Sequence, residues 1–230
     1  MGGPTLLILP LVSKFADYKP TDLAPVAGLN TLPYAFVTTR SLPVNNLAEF
    51  VAYGKANPGK LNLGIIGDVG TSRLLAERFS AQTGVEFTEI PYKGAAPILE
   101  DIAAGCVHLY ADGVPSSLAL HKAGRARVLA ISSEERLAEA NDIPTFKELG
   151  YPGMSSSTYM AFFARAETPE NLLRVIGNET MKTMHEPAIR ERMVTLGAIP
   201  WLGTPAEFAA YAKKDFQAWQ DDIKRRGNKP

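Results

Sequence analysis

The sequence predicts an α/β protein in which a parallel sheet is covered by helices. Two observations carry this. From Tyr34 to Ser132 short apolar strands alternate with segments of helical period. Twice, moreover, the chain runs from a strand through a glycine turn straight into a helix start: Leu61 to Ile66 then Gly67-Asp68-Val69-Gly70-Thr71-Ser72, and Phe87 to Pro91 then Tyr92-Lys93-Gly94. Strands and helices in strict alternation bury their apolar faces best as a helix-covered parallel sheet. Each junction aims backbone N–H groups that lack an intrahelical acceptor at one point, and open α/β sheets bind ligands at the carboxyl ends of their strands.

The elements follow in order. Leu6 to Val12 is an apolar run interrupted by Pro10. With no basic leader and no small-residue cleavage site after it, it reads as a strand or turn rather than a signal peptide, and it is too short to cross a bilayer. Tyr34 to Thr38 is a strand, broken by Ser41-Leu42-Pro43. Asn46-Leu47-Ala48-Glu49 has the form of a capping box and opens a helix with Leu47, Phe50 and Val51 on one face, ended by Asn57-Pro58-Gly59. Past the first glycine turn, Leu74, Leu75 and Phe79 recur at helical spacing and Gly84 stands at the stop; past the second, Pro97 is expected at the first helical position, with Ile98 and Ile102 on one face and Gly105 just beyond the end. Val107 to Ala111, a helix around Ser117 to Lys122, and Arg127 to Ser132 complete the alternation. Tyr159 to Ala164 is a further strand. The remainder is helical, with start signals at Thr168-Pro169-Glu170, read as a threonine N-cap before proline, and at Thr204-Pro205-Ala206-Glu207, a capping box.

Composition bounds the function. The 230 residues are 46% hydrophobic and 21% charged, which describes a globular chain and excludes disordered and fibrous classes. Lys plus Arg equals Asp plus Glu at 24 each, so no global field recruits nucleic acid or an anionic membrane. Attraction for an anion must be local. The single cysteine, Cys106, lies in an apolar strand-like run and is expected to be a buried small hydrophobe.

Chemistry is sparse. The glycines at 64, 67 and 70 match neither the dinucleotide fingerprint nor the phosphate-binding loop. Glycine there also serves a plain tight turn, and Asp68 would repel an anion unless it faced solvent or a ligand ammonium. Lys93, between a strand end and a helix start, can reach an anion or simply be solvated. Asp112 can accept from a ligand hydroxyl or amine, or cap the helix that begins near Pro115. His108, His121 and His185 have no metal-ligand spacing, no Gly-x-Ser-x-Gly elbow is present, and the adjacent pairs Glu100-Asp101 and Asp221-Asp222 diverge by about 100° on a helix, too far to flank one bond. No catalytic residue, metal or cofactor is expected.

These residues resemble a known family. The segment Val44 to Gly105, above all Asn57-Pro58-Gly59-Lys60-Leu61-Asn62 and Pro91-Tyr92-Lys93-Gly94-Ala95-Ala96-Pro97, is similar to the extracytoplasmic solute receptors of tripartite tricarboxylate transporters, the TctC or Bug family. So are Arg127 to Ser133, Asp142 to Gly150, Ala164 to Pro169, Leu196-Gly197, Thr204 to Glu207 and Trp219 to Lys224. The resemblance implies a periplasmic-binding fold of type II, a Venus flytrap of two α/β domains joined by two crossovers. One domain is residues 1–38 with 156–230, incomplete and helical toward its end; the other is residues 39–155 with a mostly parallel sheet. It implies a monomeric, periplasmic, non-enzymatic receptor that closes on a small carboxylate (a di- or tricarboxylate, an amino acid or an aromatic acid) with hinges at Val37 to Arg40 and Ser156 to Tyr159, and that serves the membrane components of a tripartite transporter. The ligand-binding residues expected are Thr5, Gly67, Gly70, Thr71, Ser72, Tyr92, Lys93, Gly94 and Asp112.

The chain also departs from the pattern. Gly3 to Pro20 resembles the family's region after its third strand, so the first domain is expected to be truncated at its N-terminus. The family has serine where Ile65 and Gly70 stand and histidine where Arg73 stands. The alternative reading is a nucleotide- or cofactor-dependent enzyme with a Rossmann-like domain that uses the Gly67 loop. It would need Glu89 or Asp112 to hold a ribose.

Overall fold

The computed structural model describes residues 1–13, 16–66, 70–195 and 198–225. In chain order the elements are α1 (Thr5–Val12), β1 (Leu23–Thr39), α2 (Leu47–Ala56), β2 (Leu61–Ile66), α3 (Thr71–Thr83), β3 (Phe87–Tyr92), α4 (Ala95–Ala104), β4 (Tyr110–Gly113), α5 (Val114–Lys122), β5 (Ala126–Ile131), β6 (Ser157–Arg165), α6 (Glu170–His185), α7 (Pro187–Thr195), β7 (Ile199–Pro200) and α8 (Pro205–Arg225). They form two compact units, Met1–Leu32 with Thr158–Pro230 (unit 1) and Pro33–Ser157 (unit 2).

Unit 2 is the α/β body. Its local signals act as local physics requires. The Asn46 side chain accepts the Glu49 amide at 2.9 Å, while the Asn45 amide donates to Glu49 at 2.7 Å. Gly84 (φ 73°) and Gly105 (φ 87°) end α3 and α4 in the left-handed conformation that glycine adopts without penalty. Leu74, Leu75 and Phe79 of α3 and Ile98 and Ile102 of α4 are buried against the strands. Phe36, Phe79 and Phe146 meet edge to face, with centroids 4.7 to 6.1 Å apart, at the centre of the core. Pro97 stands third in α4, which begins at Ala95.

The strands do not form one mostly parallel sheet: β2 and β3 make a two-stranded sheet, and β1, β4, β5, β6 and β7 a five-stranded one. β2 and β3 pair in parallel, and Leu63 bridges Leu109 in parallel ahead of β4. β1, however, runs antiparallel to both β4 and β5. Tyr34 to Val37 therefore belong to unit 2 through their β4 partners, from Tyr34↔Gly113 to Val37↔Tyr110. Alternation along the sequence fixes the direction of β2 to β5. It carries no information about a strand that enters without a preceding helix.

In unit 1, β6 and β7 pair with β1, the latter at Asn30↔Pro200 and Thr31↔Ile199. The fully buried Tyr159 and Phe208 pack with Trp201 and Tyr211. The apolar run from Leu6 is helix rather than strand or turn. A proline inside a helix leaves the carbonyl four residues back without its donor. For Pro10 that carbonyl belongs to Leu6, and the Tyr18 hydroxyl donates to it at 2.8 Å. Burial of Leu7 and Ile8 then favours the helix. α8 opens as its capping box predicts, with the Thr204 amide on Glu207 at 2.7 Å and the Glu207 amide on the Thr204 hydroxyl at 3.2 Å. α6 starts one residue later than its threonine signal, on Pro169 with no side-chain cap. Among the described residues no helix is long and apolar enough to cross a membrane.

Candidate functional site

The register of unit 2 brings its helix starts together. Ile66 and Tyr92, the last residues of β2 and β3, are direct partners in a parallel pair, so both strands end at one edge. The Leu63↔Leu109 bridge aligns β4 with them, and β5 runs the same way because it, like β4, is antiparallel to β1. The carboxyl ends at Ile66, Tyr92, Gly113 and Ile131 thus share an edge, and the reversed β1 adds Tyr34 to it, opposite Gly113. Of the sequence-expected residues, Gly70, Thr71, Ser72, Tyr92, Lys93, Gly94 and Asp112 lie along this edge. Gly67 lies outside the described residues. Thr5 is the exposed first residue of α1, in unit 1.

The three helices that start here differ. α3 begins on Gly70 and α4 on Gly94, neither with a side-chain cap nor an acidic residue in the first turn. Their positive ends are therefore not neutralised from within. Lys93, exposed, adds a cation beside the α4 start. A Cβ built on Gly94 would meet nothing within 4 Å, so the approach to this helix end is open. At α5, by contrast, the buried Asp112 carboxylate accepts the Ser116 hydroxyl and, at 3.0 Å, the Ser117 hydroxyl. Burial raises its pKa above the ordinary carboxyl value, and bonds from Ser116, the Gly113 backbone and Ser117 pull it back. Of the two roles open to Asp112, its geometry is that of an internal anion at the α5 start.

Two tyrosines have settled roles. The Tyr92 hydroxyl donates to Asp101 on α4, away from the helix start, and burial, followed by this bond, pushes its pKa up to about 12. Tyr34, which sequence reasoning did not single out, is buried and shares a hydrogen bond with the Thr71 hydroxyl at the first residue of α3. Tyr110 lies close by. Burial, then the neighbouring Asp112 and Tyr34, raises its pKa above the ordinary phenol range. Tyr34 escaped notice because its place depends on the direction of β1.

Other candidates fall away. Arg73 grips Glu89 at two points, 2.9 and 2.8 Å, and Asp112 is engaged with α5, so neither carboxylate is poised for a ribose. Cys106 is exposed, not buried, because the chain at 106 is still leaving α4 and regular strand begins only at Tyr110. No group of three or more His, Cys, Asp or Glu that could hold a metal occurs among the described residues. In unit 1 a groove of about 590 Å³ is lined mainly by Leu29, Phe162, Val175, Ile176, Met184 and Met193. Thr180 and Thr183 also border it, but their hydroxyls donate to the carbonyls of Ile176 and Glu179, so it offers little to a carboxylate.

Residues 1–228 match the family described as tripartite tricarboxylate transporter family receptor, TctC. Protein BugT of Bordetella pertussis is 29% identical over 208 residues, which cover 90% of this chain and 64% of BugT. A UPF0065 protein from Pseudomonas sp. strain P51 is 30% identical over 201 residues, 86% of this chain and 60% of that one. The chain thus spans less than two thirds of the length of these curated relatives. Among solved structures, R. palustris Rpa4515 with adipate is 31% identical and superposes with a TM-score of 0.84 over 97% of this chain and 75% of that one. The periplasmic binding protein BugD is 25% identical, with a TM-score of 0.83 over 98% of this chain and 76% of its own.

Proposed function

The chain belongs to the tripartite tricarboxylate transporter receptor family, and from that footing we propose that it captures a small carboxylate at the carboxyl edge of the unit 2 sheet and releases it unaltered. The observation that carries the reading is the Ile66↔Tyr92 pairing, which sets two glycine-led helix starts without internal anions side by side. In this reading the first-turn amides of α3 and α4, the Thr71 and Ser72 hydroxyls and the Lys93 ammonium hold carboxylate oxygens, and Gly70 and Gly94 let the ligand approach the backbone. Charge-assisted hydrogen bonds contribute about 1.5 to 3 kcal/mol each, and micromolar affinity needs about 8 kcal/mol. Four or five such contacts suffice after ordering costs. The relative bound to adipate supports a dicarboxylate as the first ligand to try. The same reading makes the protein a periplasmic monomer that delivers its ligand to the membrane components of a tripartite transporter.

A thermal-shift panel tests it. Adipate, other di- and tricarboxylates, amino acids and aromatic acids are titrated against ATP and NAD. Stabilisation that grows with carboxylate concentration, with nucleotides silent, is expected. Stabilisation by nucleotides alone would restore the enzyme reading, and silence throughout would reject a binding role for the chain.

A further inference from the structure

Ser132 is the buried point to which both passages of the chain between the units are tied. The chain leaves unit 1 after Leu32 and returns after Ser157. Just past the first passage, the Tyr34 amide donates to Ser132 Oγ at 2.7 Å, and the Ser132 amide donates to the Tyr34 carbonyl at 2.8 Å. Just before the second, Ser132 Oγ donates to the Ser156 carbonyl, and the Ser156 amide donates to the Ser132 carbonyl at 2.9 Å. One hydroxyl, 1% exposed as a residue, accepts from the outgoing strand and donates to the segment just ahead of the returning one. The Tyr34 side chain extends the connection to Thr71 at the start of α3.

We propose that Tyr34 and Ser132 are positioning residues that couple the α3 corner to both chain passages. The inference rests on the reading of that corner as the carboxylate site. A threonine hydroxyl has one proton. While the site is empty, Thr71 and Tyr34 can each act as donor to the other; once Thr71 donates to a carboxylate, Tyr34 must be the donor between them. Occupancy therefore fixes the direction of the Thr71–Tyr34 bond, and the backbone of Tyr34 carries that constraint to Ser132 and Ser156. The coupling is reciprocal, so loosening Ser132 also loosens the α3 start.

Hydrogen exchange on the whole chain tests the coupling first without ligand. In Ser132→Ala, exchange about tenfold faster is expected not only near Tyr34 and Ser156 but also in the first turn of α3, with α2 unchanged as the control for folding. Faster exchange confined to Tyr34 and Ser156 overturns the proposal. Tyr34→Phe leaves the Ser132 bonds in place and decides the matter if Ser132→Ala does not fold: faster exchange at Ser156 supports the coupling, and an unchanged Ser156 ends it. Adipate is then the probe. It should protect both the α3 start and Ser156 in the parent chain, but the α3 start alone in Tyr34→Phe. Adipate protection that spares Ser156 in the parent chain counts against the coupling. Absence of any protection counts against the dicarboxylate reading, while the ligand-free arms still decide the coupling.

Discussion

Arg73 in the first turn of α3 clasps Glu89 of β3 through two parallel bonds, Nε to Oε1 at 2.9 Å and Nη2 to Oε2 at 2.8 Å. The pair fastens the start of α3 to the neighbouring strand, and a second carboxylate, that of Glu77, lies 3.1 Å from Nε. Both partners are about a quarter to a third exposed, so solvent screens much of the attraction. A double-mutant cycle with Arg73→Ala and Glu89→Ala, read by urea unfolding, should return a coupling of about 0.5 to 1 kcal/mol. Additive single effects would mean that the clasp contributes nothing to stability.

Asp112 makes stability depend on pH in an unusual direction for a carboxylate. Because burial holds its folded pKa above the ordinary 3.8, the folded protein binds this proton more tightly than the unfolded chain does. The ionised group therefore costs stability above the raised folded value, and that cost fades as pH falls through it toward 3.8. Relative to Asp112→Asn, whose side chain does not titrate, the parent protein should gain stability between about pH 7 and about pH 4. A constant difference in urea midpoint across that range would contradict the assignment. Asp112→Ala, which removes the acceptor of the Ser117 hydroxyl and leaves Ser116 the Gly113 carbonyl at 3.1 Å, should cost about 1 to 3 kcal/mol.

Two glycines separate binding from folding. At Gly94 the backbone is extended (φ 175°) and an added methyl meets nothing, so Gly94→Ala should keep the melting temperature within about 2 °C. The same methyl would stand where a carboxylate approaches the α4 amides, so carboxylate-induced stabilisation should shrink. At Gly64 the new Cβ would lie 2.4 Å from Ile98 Cγ2 in the packed core, and Gly64→Ala should lose about 1 to 3 kcal/mol. Unaltered ligand response in folded Gly94→Ala would move the site away from α4.

Cys106 is the one thiol and is exposed, so a thiol reagent such as DTNB should label the native protein to the same extent as the urea-unfolded one. Labelling that requires unfolding would return Cys106 to the interior.

How much the sequence disclosed follows the range of the forces involved. Capping at Asn46 and Thr204, the glycine stops at 84 and 105, and the two strand-to-helix corners depend on neighbours a few residues apart, and all are readable in the chain. The α1 helix was misread because its broken carbonyl bond is repaired by Tyr18, a partner beyond the local window. Leu23 to Pro33 went unseen as strand because Pro25 and Pro33 mask an extended segment whose partners are far along the chain. For the site, the Thr71 and Gly94 corners were legible. The occupation of Asp112 by two serines and the arrival of Tyr34 beside Thr71 depend on burial and strand direction, which a single sequence does not encode locally.

The antiparallel entry of β1 also governs the order in which unit 2 can assemble. Phe36 is synthesised early, yet its strand neighbours are Ala111 and Ala130. Ring closure over so many residues is entropically slow. Until β4 is available the central strand stays apolar and unpaired, and until β5 follows it is paired on one side only, which is the interval in which the folding chain is most open to misassociation.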